Sequence, residues 1–159
     1  MASAFEIFSR AEQFERAAAE LYAAIARSYP WGEDDRALFE RLSQEELQHA
    51  ARVRLLAAHY RNDAALFHLE RGALASIEGA ERSIEEMRSA VASGRWRDDL
   101  PGLKAHLADL EERSHATHAE LLADGADARV RGFFLELARQ DRTHRDLLLG
   151  AHRRGTASG

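Results

Sequence analysis

The feature that most constrains this chain is a pattern of four residue types that occurs once in each half. A Phe is followed by Leu three positions later, by an acid after seven and by His after ten. The pattern ends on Glu46 and His49 in the first half and on Asp141 and His144 in the second. Side chains three positions apart project from nearly the same side of a helix. The repetition therefore predicts two equivalent helices that carry an acid and an imidazole to the same height in the fold.

Strong helix formers dominate the sequence, and it contains only two prolines. Turn residues, such as those around Pro30 and Gly125, separate the apolar-periodic stretches. We expect Asp34 or Asp35 to cap the second helix and Asp127 to cap the fifth. Five helices are predicted, at about 4–29, 34–61, 69–93, 101–123 and 128–153.

Each repeated helix follows a partner helix over a short connection, which predicts two antiparallel hairpins. The third helix then lies in the connection between them. The expected fold is all-α: a four-helix bundle of two antiparallel hairpins with an additional helix in the crossover. We expect one domain over residues 1–154, followed by a disordered tail at 155–159.

Composition narrows the function classes. The formal net charge of -5 argues against nucleic acid as a partner. The sequence contains no Cys, which removes disulfides, thiolate metal sites and a catalytic thiol. No signal peptide is visible, and no apolar stretch approaches the roughly 20 residues of a membrane span. A cytoplasmic protein without membrane contact is the expectation.

The acid–His couples fall inside apolar stripes rather than at their edges. The stripes consist of Leu38, Leu42, Val53, Leu56 and Tyr60 in the second helix and of Val130, Phe134, Leu137 and Leu148 in the fifth. A carboxylate buried alone costs several kcal/mol, so it is paired, neutralised or bound to a cation. One couple by itself is equally explained by a mutual hydrogen bond. Two couples at matching positions favour a shared metal site of carboxylate and imidazole ligands, which suit iron or manganese and also accept zinc.

The remaining two helices are expected to supply one carboxylate each. Glu15 flanks the stripe of the first helix, and Glu111 flanks that of the fourth. Glu15 lies seven residues before Tyr22, and Glu111 lies seven residues before His118. Tyr22 precedes Glu46 by 24 residues and His118 precedes Asp141 by 23, so the repeat extends to both hairpins.

Other residues compete for these places. Glu81, on the third helix, is the rival of Glu111 if that helix is the true bundle member. His115 and His118 are further candidate ligands, or else core or interface histidines. We prefer Glu111 to Glu81 because its helix forms the short hairpin with the helix of Asp141.

In these residues, the chain resembles the ferritin-like superfamily and is most similar to the rubrerythrin-type diiron carboxylate proteins. The resemblance rests on Glu15 with Tyr22, the segment from Glu46 to His49, Glu111, and the segment from Asp141 to His144. It implies a metal site with Glu15, Glu46, His49, Glu111, Asp141 and His144 as ligands. Two iron ions would be the cofactor, with manganese or zinc as substitutes.

Three departures from that family stand out. The acid of the last helix is Asp141 instead of Glu, and Ser114 stands where a further acid is usual. The chain also lacks the cysteines of a rubredoxin module. Asp is one methylene shorter than Glu, which makes bridging two ions harder.

The resemblance implies an iron-dependent oxidoreductase that reduces peroxide or oxygen, or oxidises ferrous iron. No catalytic residue beyond the metal ligands is predicted. A homodimer and a separate electron donor are the expected partners. The alternative is a non-catalytic bundle, with a structural or interaction role, that has kept the fold with a degenerate metal site.

Overall fold

The computed structural model of the protein describes residues 4–61, 71–120 and 128–150. Within these ranges all regular structure is helical, as the sequence predicts. The helices are α1 Ala4–Ser28, α2 Glu33–Tyr60, α3 Arg71–Ala92, α4 Leu100–Glu120 and α5 Ala128–Leu148. None of the helices in these ranges combines the length and apolar character that crossing a bilayer requires.

Two of the predicted helix ends need correction beyond a shift of one or two residues. The N-cap of α2 is Gly32, whereas Asp34 and Asp35 lie in the first turn, where their charge faces the positive end of the helix dipole. The prediction that either one caps α2 was wrong. Helix α5 ends at Leu148 rather than near residue 153, and Gly150 follows with φ of 68°, a conformation that commonly ends helices. The expected cap at Asp127 and the expected tail at 155–159 lie outside the described residues.

Two antiparallel hairpins form the body of the fold. Helix α1 packs on α2, and the Ser43 hydroxyl donates to the Ala19 carbonyl at 2.8 Å. Helix α4 packs on α5, with Glu112 and Arg145 paired at 2.6 Å. The contact between α2 and α5 is much smaller than either of these.

Helix α3 covers the two hairpins along α1 and α4. Arg10 of α1 contacts Glu81 of α3 at 2.7 Å, and Ser76 of α3 contacts Thr117 of α4 at 3.2 Å. Since α3 packs on this side, the other four helices are left to surround a common interior. The prediction of an all-α bundle is confirmed for the described residues.

The interior is apolar at both ends of the bundle. Among its largest fully buried side chains are Phe8, Leu21, Ile25, Phe39, Leu42, Ile84, Leu103, Leu107 and Phe134. Burying one such side chain stabilises the fold by about 1.5–3 kcal/mol. Both tryptophans come from connecting segments. Trp96 is buried beside His106, and Trp31 packs edge-on against Tyr29.

Candidate metal centre

Polar side chains interrupt this apolar interior at one level. Each of the four surrounding helices contributes at least one carboxylate or imidazole there. The residues are Glu15 from α1, Glu46 and His49 from α2, Glu111 and His118 from α4, and Asp141 and His144 from α5, and none is more than 3% exposed. All six ligands predicted from the sequence are therefore buried in one cluster, together with His118.

Within the described residues, two groups have ligand atoms close enough to hold a metal ion. They are Glu15–Glu46–His49 and Glu46–Glu111–His144, with atoms inside each group at most 4.8 Å apart. Glu46 belongs to both groups. Its Oε2 lies 3.0 Å from His49 Nδ1, and its Oε1 lies 2.9 Å from His144 Nδ1. One carboxylate thus belongs to both candidate metal-binding groups, the arrangement that a bridging ligand requires.

The two imidazoles of these groups lie side by side. The rings of His49 and His144 stack with centroids 5.5 Å apart and planes 12° apart. His144 donates from Nε2 to Glu45 Oε2 at 2.8 Å. A proton held at Nε2 leaves Nδ1 to face the cluster, which is how an outer carboxylate fixes a metal-binding histidine.

Glu111 and Glu15, which each belong to one of the two groups, both contact a residue of the opposite hairpin. Tyr22 of α1 donates its hydroxyl proton to Glu111 Oε1. His118 of α4 places Nε2 2.8 Å from Glu15 Oε1. Tyr22 and His118 correspond in the sequence repeat, but Tyr22 donates a hydrogen bond to its carboxylate whereas His118 lies at ion-pair distance from its own.

The carboxylates raise the pKa of the histidines between them. Burial opposes the protonation of His49, but its contacts with Glu15 and Glu46 outweigh this and raise its pKa to about 10. Burial likewise opposes protonation of His144, yet Glu111, Glu45 and Glu46 lift its pKa well above the ordinary value. Without metal, both imidazoles are therefore positively charged at neutral pH.

The pKa values of the carboxylates shift in opposite directions. Burial raises the pKa of Glu46 and of Glu111, against the opposing effect of His144. Burial would also raise the pKa of Glu15, but its contact with His118 outweighs this and holds the pKa far below the usual range. Glu45 is only partly buried, and its hydrogen bond from His144 lowers its pKa to about 2.

Two buried atoms of the cluster have no hydrogen-bond partner. They are Glu15 Oε1 and His144 Nδ1, both at ion-pair distance from a neighbour but not aligned for a hydrogen bond. An unsatisfied buried polar atom costs about 1–3 kcal/mol. A cation among oxygen and imidazole donors would supply the missing partner for His144 Nδ1. The residues present therefore suit a divalent ion at each group.

A cavity leads to this centre between α2 and α5. Its volume is about 210 Å³, and His49 and His144 line it together with Glu45, Gln48, Arg52, Gln140 and Thr143. It opens where the two helices make little contact.

The remaining candidates lie elsewhere. Glu81 pairs with Arg10 on the outer surface of α1 and α3, which leaves Glu111 as the carboxylate that reaches the cluster. His115 contacts the Ala138 carbonyl at 2.7 Å, and Ser114 donates to the carbonyl of Leu110. Neither lies in a metal-binding group.

Sequence reasoning missed the contribution of Glu45. It stands next to Glu46, but on a helix this neighbour points about 100° away, toward the edge of the apolar stripe. Its partner, His144, is 99 residues further along the chain. Only the spatial adjacency of α2 and α5 connects the two residues.

Comparisons with family models, with curated proteins and with solved structures give no match for this chain. Its function is therefore argued from the geometry of the cluster.

Proposed function

We propose that this chain is a rubrerythrin-like dimetal protein of the ferritin-like superfamily that uses two iron ions in redox chemistry. The reaction would reduce peroxide or oxygen with electrons from ferrous iron. Manganese and zinc are alternative occupants of the same ligand set.

One observation carries the proposal: two buried groups of carboxylate and imidazole ligands share Glu46. Structural ion pairs also occur in protein cores, and they need no shared carboxylate. Here a single side chain divides its two oxygens between two imidazole Nδ1 atoms, at 3.0 and 2.9 Å. Neighbouring ions bridged by one carboxylate explain this arrangement best.

The roles of the residues follow from their positions. Glu46 would bridge, His49 and Glu15 would complete one position, and His144 and Glu111 would complete the other. Bound iron would supply the electrons, and the chain would fix the ligand geometry. The apolar layers at both ends exclude bulk water, whereas the cavity between α2 and α5 admits small polar molecules.

Metal content tests the proposal directly. Protein purified without a metal-binding tag and loaded anaerobically with ferrous iron is expected to hold two ions per chain, measured by elemental analysis. The His49→Ala, His144→Ala double variant should lose them. His59→Ala is the matched control, since His59 is exposed on the same helix as His49, and it should keep both ions. Addition of peroxide or oxygen should then oxidise the iron in the wild type.

A second candidate is a non-catalytic bundle whose cluster is only structural. The contacts of His118 favour it, because His118 pairs with both Asp141 and Glu15 and so neutralises part of the buried charge. Wild-type protein that stays metal-free, with a melting temperature unchanged by ferrous iron, would establish this reading and refute the first.

The proposal also includes a homodimer and a separate electron donor. The sequence contains no Cys, so no cysteine-based electron relay lies within this chain. Light scattering of the purified protein measures the dimer, and a mass of one chain would exclude it.

A further inference from the structure

Asp141 corresponds to Glu46 in the sequence repeat, but its surroundings differ. The oxygens of Glu46 face the Nδ1 atoms of His49 and His144. Asp141 Oδ2 instead lies 2.7 Å from His118 Nδ1, and Asp141 belongs to neither metal-binding group among the described residues. The shorter acid thus serves a different partner from its longer counterpart.

His118 lies between two carboxylates. While Nδ1 is hydrogen-bonded to Asp141, Nε2 is at ion-pair distance, 2.8 Å, from Glu15 Oε1. Its ring packs edge-on against Phe14 at 6.3 Å and lies 6.1 Å from Phe134. This packing restricts rotation of the ring, so His118 faces Asp141 and Glu15 in one orientation.

Glu15 divides its two oxygens between two sides. Oε1 faces His118, and Oε2 lies 3.6 Å from His49 Nδ1, on the side of the first metal-binding group. Glu111 does the same in the other half of the molecule. Its Oε1 accepts from Tyr22, and its Oε2 lies 3.7 Å from His144 Nδ1.

We propose that Asp141 is a positioning residue that acts through His118, and not a metal ligand. Asp141 orients His118, whose Nε2 attracts Oε1 of Glu15 as an ion pair and leaves Oε2 for the ion at the Glu15–Glu46–His49 group. The other ion position has Tyr22 in this role and needs no acid behind it. The two positions are therefore unequal, and among the described residues Glu46 is the only carboxylate that the two groups share. This inference rests on the proposed dimetal function.

The test compares zinc binding by the metal-free wild type, Asp141→Asn, His118→Gln and the double variant. Titration calorimetry follows each binding event. The wild type should bind two ions. Each single variant should lower the affinity for one ion by about 10–100-fold, the usual effect of losing a residue that positions a metal ligand. The affinity for the other ion should be unchanged. The double variant should be no weaker than either single variant, since both remove the same connection.

Two further variants sharpen the comparison. Glu111→Gln should lower the affinity at the Glu46–Glu111–His144 group, which the Asp141 and His118 variants leave unchanged. His118→Tyr should restore most of the lost affinity, because its hydroxyl can hold Glu15 as Tyr22 holds Glu111. If Asp141 is itself a bridging ligand, Asp141→Asn weakens both ions whereas His118→Gln does not, and the proposal is overturned.

A metal-free measurement separates this inference from the proposed function. The Nδ1 proton of His118 is expected as a slowly exchanging low-field resonance in the proton NMR spectrum, lost in Asp141→Asn and kept in Glu111→Gln. If the resonance is present but the wild type binds no ion, the dimetal function is refuted and the Asp141–His118 connection stands. If the resonance is absent, or persists in Asp141→Asn, the connection itself is wrong.

Discussion

Metal binding is expected to release protons, because the imidazoles that would bind the ions are charged in the metal-free chain. A histidine must be neutral before its imidazole can bind a metal ion. Glu15 and Glu46 raise the pKa of His49 to about 10. Removing its proton at pH 7 costs about 4 kcal/mol, since each of the three pH units corresponds to about 1.4 kcal/mol. The apparent affinity at pH 7 should thus be about a thousandfold below that of the chain with His49 fully deprotonated.

Calorimetry in buffers of different ionisation enthalpy counts these protons. With zinc at pH 7 we expect about two or more protons released per chain, one each from His49 and His144, whose pKa values are both raised. Between pH 6 and 8 the affinity at each position should rise by about tenfold per pH unit for every proton released.

Variants assign the released protons to individual residues. His49→Ala should release about one proton fewer than the wild type. Glu112→Gln, which alters an exposed neighbour of Glu111, should release as many as the wild type. Binding that releases almost no protons, with an affinity independent of pH, would refute the reasoning, because the imidazoles would then be neutral before the metal arrives.

Three further predictions concern the metal-free protein. Its melting temperature should fall as the pH rises from about 6.5 toward 10, because the folded-state pKa of His49 lies above its unfolded value; that stabilisation is complete below pH 6.5 and is lost through about pH 10. A flat profile over that range would contradict this. Tyr22→Phe leaves the buried Glu111 Oε1 without its donor and should lower the free energy of unfolding in urea by about 1–3 kcal/mol. Asp99→Ala removes the acceptor for the Gly102 N–H at 2.9 Å, at the start of α4, and should cost about 1 kcal/mol in the same assay; no measurable loss would show that this cap is unimportant.

The sequence repeat predicted much of the fold because it combines periodicity with placement. Apolar spacing predicts helices, and the position of Glu46 and His49 inside such a stripe predicts their burial, which the structure confirms. The burial of Glu15 and Glu111 is harder to predict, because they flank their stripes and flanking acids are commonly solvated. Their equal distances to Tyr22 and His118, together with the expectation of one carboxylate from each helix, were the sequence signals, and both carboxylates are buried.

Contacts between distant helices could not be predicted in this way. The hydrogen bond of Asp141 to His118 depends on how far α4 and α5 stand apart, and the bond between Glu45 and His144 depends on the approach of α2 and α5. Helix ends were also imprecise. An Asp near the start of α2 resembles a cap in sequence, but the backbone places Gly32 there.

The cavity between α2 and α5 has a consequence for how ions reach the centre. A hollow of about 210 Å³ is several times the roughly 30 Å³ that one water molecule occupies in the liquid, and both imidazole rings form part of its wall. An ion with part of its hydration shell can therefore approach the ligands without separating the hairpins. Filling and emptying of the folded chain would then use this opening, and a molecule that covers it would slow both.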